Sequence, residues 1–127
     1  VLAIVVTPER FRKSQHFWSY AGLGIQTTVS SEFRMGANRQ WRRQRDPMTR
    51  GLKAGHPLLK MVFKGAAETV ATRMVEHPLG RHYQRLLKNG MKETLARLTL
   101  ARKLAAISLA VWKNKEEYDP TKHKSFE

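Results

Sequence analysis

Residues 57–113 carry the apolar periodicity of packed helices, and this pattern limits the fold more than any other feature of the sequence. From Pro57 to Glu76, apolar residues recur at the three- and four-residue spacing that places them on one face of an α-helix. They stand at positions 58, 59, 62, 63, 66, 67, 70 and 74. We therefore predict a helix over this segment whose apolar face packs against the rest of the chain.

Proline and glycine mark where the next two helices begin and end. Pro78 suits the first position of a helix, and Asn89-Gly90 is a typical C-terminal stop. A last helix is predicted from about Lys92 to Lys113. Because its stretch from Leu104 to Trp112 is apolar on every side except Ser108, we expect that stretch to lie in the middle of the helical packing.

The first part of the chain indicates one more helix. Thr7-Pro8 is typical of a helix start, with a hydroxyl cap followed by proline at the first helical position. Gly22 or Gly24 would end this helix. The apolar run before it, Val1 to Val6, fits either the last turns of a helix or a buried strand.

A small β-hairpin is predicted next. The β-branched run from Ile25 to Phe33 favours a strand, Met35 to Asn38 its turn, and Arg39 to Gln44 a returning strand. Arg45–Gly55, with its proline and glycines, is expected to be a loop. The predicted fold class is mainly α: a helical domain with a small β-hairpin between the first helix and a C-terminal three-helix packing.

Length and composition bound the organisation of the chain. With 127 residues it fits one domain, which we assign to residues 1–118, followed by a polar tail at 119–127. Because the chain opens without an initiator methionine, we interpret it as a fragment of a longer protein. It has no cysteine, which excludes a disulfide scaffold and thiolate chemistry. No run approaches the ~20 apolar residues that span a bilayer, so we predict no membrane partner.

Basic residues concentrate in about a quarter of the sequence. The net charge is +14, and residues 34–64 alone carry nine basic side chains against one acidic, a balance of +8. Such a concentration points to a polyanionic partner, with nucleic acid as the first candidate. The predicted nucleic-acid-binding residues are Arg34, Arg39, Trp41, Arg42, Arg43, Arg45, Arg50, Lys53, Lys60 and Lys64.

The residue types in this basic segment favour binding over a merely solvated loop, which is the alternative interpretation. Six of the nine bases are arginine, whose planar fork forms bidentate contacts with phosphate. Trp41 stands inside the cluster, where it is either a platform on which a base stacks or an anchor in the core.

Few residues suit catalysis. Only Glu9, Glu32 and Asp46 precede the helical half, and metal-assisted nucleases need several converging carboxylates. We therefore predict neither a metal site nor a cofactor in this chain. Ser30-Ser31 lies next to the arginine cluster, where cations would stabilise charge on an attacked phosphodiester. On the residues alone, the ordinary role of these serines is that of strand or turn residues.

Seven segments, taken in order, resemble one family of recombinases. They are Thr7–Arg12, Phe17–Leu23, Ser30-Ser31, Thr49–Leu52, Leu59–Ala67, Tyr83–Leu86 and Leu100–Ala105. Over nearly its whole length the chain is similar to the C-terminal transposase domain of DEDD-type transposases of bacterial insertion sequences. These are relatives of the pilin-gene invertase, and some of them are guided by a bridge RNA.

The resemblance implies a two-part enzyme of the bacterial cytoplasm. An upstream ribonuclease-H-like domain would hold Mg²⁺ on four acidic residues, and the present domain would supply a serine that attacks the DNA backbone. Ser30 matches that serine best, and Ser31 is the alternative. The implied activity is DNA strand exchange by a full-length homo-oligomer, with DNA and, in guided members, a guide RNA as partners. The present chain alone is not expected to cut DNA.

Two simpler functions stay open beside the transposase. The charge and the helical core suffice for a non-catalytic module that binds DNA or RNA. A surface for an anionic membrane or a partner helix is a third interpretation, based on the basic faces of the last two helices, where Arg97, Arg102 and Lys103 are expected to be available. It is disfavoured because the apolar stripes of these helices are expected in a shared core.

Overall fold

The computed structural model describes residues 1–28, 33–43, 49–52 and 54–122, and of residues 27–28, 33–34, 42–43 and 49–50 it describes the strand backbone. This part of the chain is mainly helical, with an antiparallel hairpin between the first helices and a C-terminal three-helix packing, which confirms the predicted fold class. The α-helices are α1 (Leu2–Val5), α2 (Ser14–Tyr20), α3 (Pro57–Arg73), α4 (Pro78–Lys88) and α5 (Glu93–Asn114).

The long helix α5 is the element on which the other helices pack. It contacts α2, α3 and α4, together with a 3-10 turn over Pro8–Arg10. Its inner face contains four fully buried residues, Ala96, Leu100, Ala101 and Ala105. Because alanine side chains are short, neighbouring helices approach α5 closely.

Aromatic rings fill the space between α2 and α3. The rings of Phe17 and Phe63 meet edge to face with centroids 5.7 Å apart, and Phe11 lies 5.2 Å from Phe17. Edge-to-face and tilted arrangements are those that the quadrupoles of the rings favour. These rings therefore fix α2 against the rest of the core.

The first helix predicted from Pro8 is interrupted, so the prediction of one continuous helix is wrong. Pro8–Arg10 forms the 3-10 turn, Phe11 is extended, and α2 begins only at Ser14. The extended backbone places the Phe11 side chain in the core, where it is buried. Its carbonyl oxygen accepts a hydrogen bond from the ammonium group of Lys113 on α5.

Gly22 ends α2, as predicted, in a Schellman motif. Its φ is +77°, the amide of Gly22 donates to the Ser19 carbonyl (3.0 Å), and the amide of Leu23 donates to the Trp18 carbonyl (2.9 Å). This pattern closes a helix and turns the chain sharply. The chain leaves the helical body at this point and enters the strands.

The strands form two nested antiparallel pairs, which we call the ribbon. They are β1 (Ile25–Thr28), β2 (Phe33–Met35), β3 (Trp41–Arg43) and β4 (Thr49–Leu52). The inner hairpin pairs β2 with β3, and the outer pair joins β1 to β4. In the outer register Ile25 lies opposite Leu52 and Thr28 opposite Thr49.

The ribbon is longer than predicted. Met35 was expected in the turn but closes β2, and β4 lies inside the segment expected to be a loop, Arg45–Gly55. The reason is non-local: β1 needs a hydrogen-bonding partner, and β4 supplies it from more than twenty residues away. Local propensity in Thr-Arg-Gly-Leu gives little indication of this pairing.

Helix α3 buries a narrower face than its apolar pattern predicts, and it ends at Arg73 rather than Glu76. Leu59, Phe63 and Ala67 are buried, whereas Leu58 and Val62 are exposed. The packed elements cover one side of α3, so the apolar residues at the edge of the predicted face stay in solvent.

The second half of α5 also departs from expectation. Ala105 and Leu109 are buried, but Ser108 and Ala110 are exposed, so this stretch lies at the edge of the packing rather than in its middle. Residues 114–122 turn back along this side of α5. The Tyr118 ring stacks on His77 with centroids 6.1 Å apart, and the His77 Nδ1 atom accepts the Leu79 amide at the start of α4 (3.2 Å).

The two ends of the ribbon meet at a neck formed by Gly22 and Gly55. A methyl group on Gly55 would overlap the backbone of Gly22 and lie 2.8 Å from the Tyr20 carbonyl oxygen. The next amide, that of His56, donates to the same Tyr20 oxygen at 3.0 Å. The neck thus depends on a direct backbone contact that only glycine permits.

We expect Gly55→Ala to lower the free energy of unfolding by about 1–3 kcal/mol, because the added methyl forces the backbones at the neck apart. Gly65→Ala is the matched control: Gly65 lies within α3 with no atom within 4 Å of an added methyl. That change should raise the stability by up to ~1 kcal/mol through helix propensity. Urea unfolding followed by circular dichroism measures both, and equal stabilities of Gly55→Ala and the wild type would contradict the neck contact.

Candidate nucleic-acid interface

The inner hairpin brings several of the predicted binding residues together. In its register Arg34 lies directly opposite Arg42, and Phe33 opposite Arg43. Like charges at directly opposed positions destabilise an isolated ladder. A bound polyanion would therefore relieve the repulsion between the opposed arginines of this hairpin.

Arg39 stands in the loop that closes the inner hairpin. The Gly36 amide donates to the Gln40 carbonyl, and the Arg39 amide donates to the Gly36 carbonyl, each at 3.0 Å. Arg39 has a φ of +56°. This is the three-residue hairpin loop, a type I turn followed by a left-handed residue, and its last position favours glycine. An arginine is held there at a conformational cost.

Trp41 and Met35 form the last strand pair before this loop. They lie opposite each other in the register, and Trp41 is 65% exposed and Met35 58% exposed. Trp41 is therefore not an anchor in the core, which was one of its two predicted roles. The sequence analysis missed Met35 as an interface residue, since only the register shows that it is the cross-strand partner of Trp41.

The other predicted residues are distributed along the ribbon base and α3. Arg50 lies opposite Thr27 in the outer pair. Lys60 and Lys64 stand one turn apart on α3, with Lys60 half-buried and Lys64 exposed. Ser30, Ser31, Arg45 and Lys53 lie outside the described residues.

A groove of about 560 Å³ opens where the base of the ribbon meets α3 and α5. Ile25, Leu52, Leu95 and Leu98 make its walls apolar, and Lys64 stands on the rim. Glu68 also lines the groove. A carboxylate oxygen of Glu68 forms a salt bridge with a guanidinium nitrogen of Arg97 on α5 at 2.8 Å.

Two arginines expected to be available on α5 are engaged within the protein. The Arg102 Nε donates to the Leu23 carbonyl at 2.8 Å, and its guanidinium lies 4.7 Å from the centre of the Trp18 ring. Burial lowers the pKa of Arg102. Arg97 forms salt bridges with Glu68 and Glu93. A hydrogen bond with Tyr83 is the main cause that raises the pKa of Arg97, and these two carboxylates raise it further.

A second group of basic side chains lies where α4 packs on α5. Burial lowers the pKa of His82, and the charges of Lys103 and Arg85 lower it further. Burial and the charge of Arg85 also lower the pKa of Lys103. Burial and the two neighbouring cations thus favour the neutral form of His82, on a part of the surface that the basic segment 34–64 does not include.

Among the described residues, no three histidine, aspartate or glutamate side chains are grouped to hold a metal ion. The Mg²⁺ that the resemblance implies would be held by an upstream domain and not by this chain. Within the same residues, no helix is both long enough and apolar enough to cross a bilayer.

Comparison of the chain with protein-family models, curated proteins and solved structures finds no match in any of the three. The resemblance to the transposase family accordingly stays a prediction.

We expect acidification from about pH 7.5 to about pH 5 to destabilise the fold partly through His82. Because its pKa is lowered in the folded state, the unfolded chain takes up the proton first, and the free energy of unfolding falls as pH falls. His82→Gln should make the loss between the two pH values smaller. His16→Gln, at an exposed position of α2, is the control, and the same loss in the His82 variant and the wild type in urea unfolding would contradict this role.

Proposed function

We propose that this chain binds DNA through the ribbon, as the DNA-binding, serine-supplying half of an insertion-sequence transposase. The observation that carries the binding is the placement of Arg34 opposite Arg42 in the inner hairpin, with Arg39 in the adjoining loop. The transposase assignment rests on the resemblance. The alternative is a non-catalytic nucleic-acid-binding module with the same interface.

Electrostatics supports a polyanion as the partner of the ribbon. Of the ribbon side chains whose burial the structure describes, none belongs to the buried core. Residues 34–43 include four arginines and no acidic residue. Each guanidinium that meets a phosphate releases condensed counterions, which favours binding at low salt.

Groove dimensions favour DNA over duplex RNA. The major groove of B-DNA admits a two-stranded β-ribbon, whereas the major groove of A-form RNA is too deep and narrow for side chains to read. A ribbon that projects from a helical body fits the major groove of B-DNA and does not fit that of A-form RNA. Single-stranded RNA, such as a guide, stays compatible with the same charges.

The predicted nucleophiles Ser30 and Ser31 lie in the sequence between β1 and β2, two strands of this ribbon. A serine hydroxyl that attacks a phosphodiester forms a serine–phosphate ester and releases the DNA oxygen as a hydroxyl group after proton transfer. The phosphate ester is kept, so a second DNA end can reverse the step and complete an exchange. Arginines nearby would stabilise the charge that develops on the phosphate.

The binding proposal predicts a change in salt dependence. Replacing Arg39, Arg42 and Arg43 by alanine should reduce the slope of log affinity against log salt by about 2–3, since each lost phosphate contact removes ~0.9. The matched control replaces Lys13, Arg73 and Lys88, which are exposed on the helical body, and lowers the net charge equally. Its slope should change by less than about 1.

Fluorescence anisotropy with a labelled duplex, repeated across a salt series, measures both slopes. If the two triple variants give the same slope, the ribbon is not the interface. Competition between a DNA and an RNA duplex of matched sequence tests the choice of partner, and preferential binding of the RNA duplex would overturn the DNA assignment.

The catalytic proposal predicts loss of DNA strand exchange by the full-length protein with Ser30→Ala. Ser31→Ala is tested separately, because Ser31 is the alternative nucleophile. The control is Ser108→Ala, an exposed serine of α5 whose hydroxyl donates to the Leu104 carbonyl at 2.9 Å. Recombination products are counted for each variant, and full activity of both the Ser30 and Ser31 variants would remove the serine role while leaving DNA binding intact.

A further inference from the structure

We propose that the end of the inner hairpin is an apolar wedge that enters between stacked bases, so that the preferred partner is an unstacked or easily kinked duplex. The wedge consists of Met35 and Trp41, with Arg39 beside it. This inference rests on the proposed DNA binding and adds to it the kind of DNA that is recognised.

The pair lies at the loop end of the ribbon. Met35 and Trp41 are the strand pair closest to the loop, and both side chains are more exposed than buried. Because directly opposed residues of an antiparallel ladder share a face, the two side chains form one apolar surface at the end of the ribbon. Neither Met35 nor Trp41 belongs to the buried core, so this surface has no packing role in the helical body.

The chemistry of the two side chains also suits a wedge. Proteins that kink DNA insert apolar side chains, methionine among them, between neighbouring base steps. Tryptophan has the largest aromatic face for stacking on a base that such a step exposes. The methionine side chain is thin and flexible and the tryptophan ring is flat. The pair therefore suits an opened base step better than the outer surface of a straight duplex.

The loop also supports this inference. Glycine would fit the left-handed position of residue 39 best, yet an arginine with a φ of +56° stands there. Unfavourable backbone conformations cluster at functional sites, although Val6 and Lys115 of this chain also have a positive φ. The guanidinium is two residues from Trp41 along the chain, where it is placed to contact the phosphates that flank an opened step.

The surroundings explain why the wedge would take DNA and not another apolar surface. The strand positions next to the pair are Arg34 and Arg42, and no acidic residue occurs between positions 33 and 43. Successive strand residues face opposite sides of a hairpin, so the positions of Arg34 and Arg42 are on the face opposite the pair. An apolar surface on an arginine-rich hairpin suits a ligand that combines flat apolar faces with phosphate charge. Nucleic acid with exposed bases has both.

The test compares two duplexes of about 30 base pairs that differ only in a central unpaired nucleotide, which lowers the cost of opening a step. The wild-type chain should bind the bulged duplex about tenfold more tightly than the straight one, and a donor–acceptor pair on the duplex ends should report a kink. Trp41→Val keeps a strand-forming residue and should lose the preference, because its affinity for the bulged duplex should fall by about tenfold more than its affinity for the straight duplex does.

Two further variants keep the proposal falsifiable if valine disturbs the hairpin. Trp41→Phe retains an aromatic face and should retain most of the preference. Arg39→Gly favours the observed loop backbone while it removes the guanidinium, so it should reduce the preference for the bulged duplex without abolishing it, since the apolar pair remains. The tryptophan fluorescence of the chain comes from exposed Trp41 and from the half-buried Trp18 and Trp112. The bulged duplex should quench the emission of Trp41 more than the straight duplex does.

The outcomes separate the wedge from the proposed function. Equal affinity of the wild type for both duplexes, or an equal loss for both in Trp41→Val, would overturn the wedge and leave DNA binding in place. Binding of neither duplex at low salt would overturn the proposed function itself.

Discussion

The close packing of helices on α5 is the contact on which the rest of the structure depends. Ala96, Ala101 and Ala105 are completely buried there, and larger residues at these positions would move α2, α3 and α4 outward together. The core is made by the helices and by the segments that lead into them. Because burial of apolar area is the main favourable term in folding, the helical body carries the stability, and the ribbon can carry residues that a core would not accept.

The positive charge of the chain is divided between two uses. Arg97 and Arg102 serve the fold: one joins α3 to α5 through Glu68, and the other holds the Leu23 carbonyl while it covers the Trp18 ring. In the inner hairpin, Arg34 lies opposite Arg42 instead of opposite a carboxylate. Net charge alone does not distinguish these groups, since a guanidinium in a hydrogen bond to the backbone counts as much as one in solvent.

Sequence reasoning predicted the helical half well because its signals are local. Pro57, Pro78 and Asn89-Gly90 mark boundaries within a few residues, and their effect does not depend on distant parts of the chain. The ribbon was predicted only in part, because β4 pairs with β1 across a long separation that no local pattern encodes. The burial of α3 was overestimated for a similar reason: periodicity identifies an apolar face, but how much of it is covered depends on the neighbours. Arg34, Arg39 and Arg42 were predicted as binding residues from the sequence, whereas the pairing of Met35 with Trp41 required the register.

The neck gives the chain a modular construction. Tyr20 and His56 are hydrogen-bonded to each other through the backbone, so the helical body is already closed at the point where the ribbon begins and ends. The free energy of closing a loop grows only slowly with its length. A shorter, longer or wholly different ribbon at this point would leave the helices in place, and the specificity of such a protein could therefore diverge by exchange of one insertion while its core sequence stays constant.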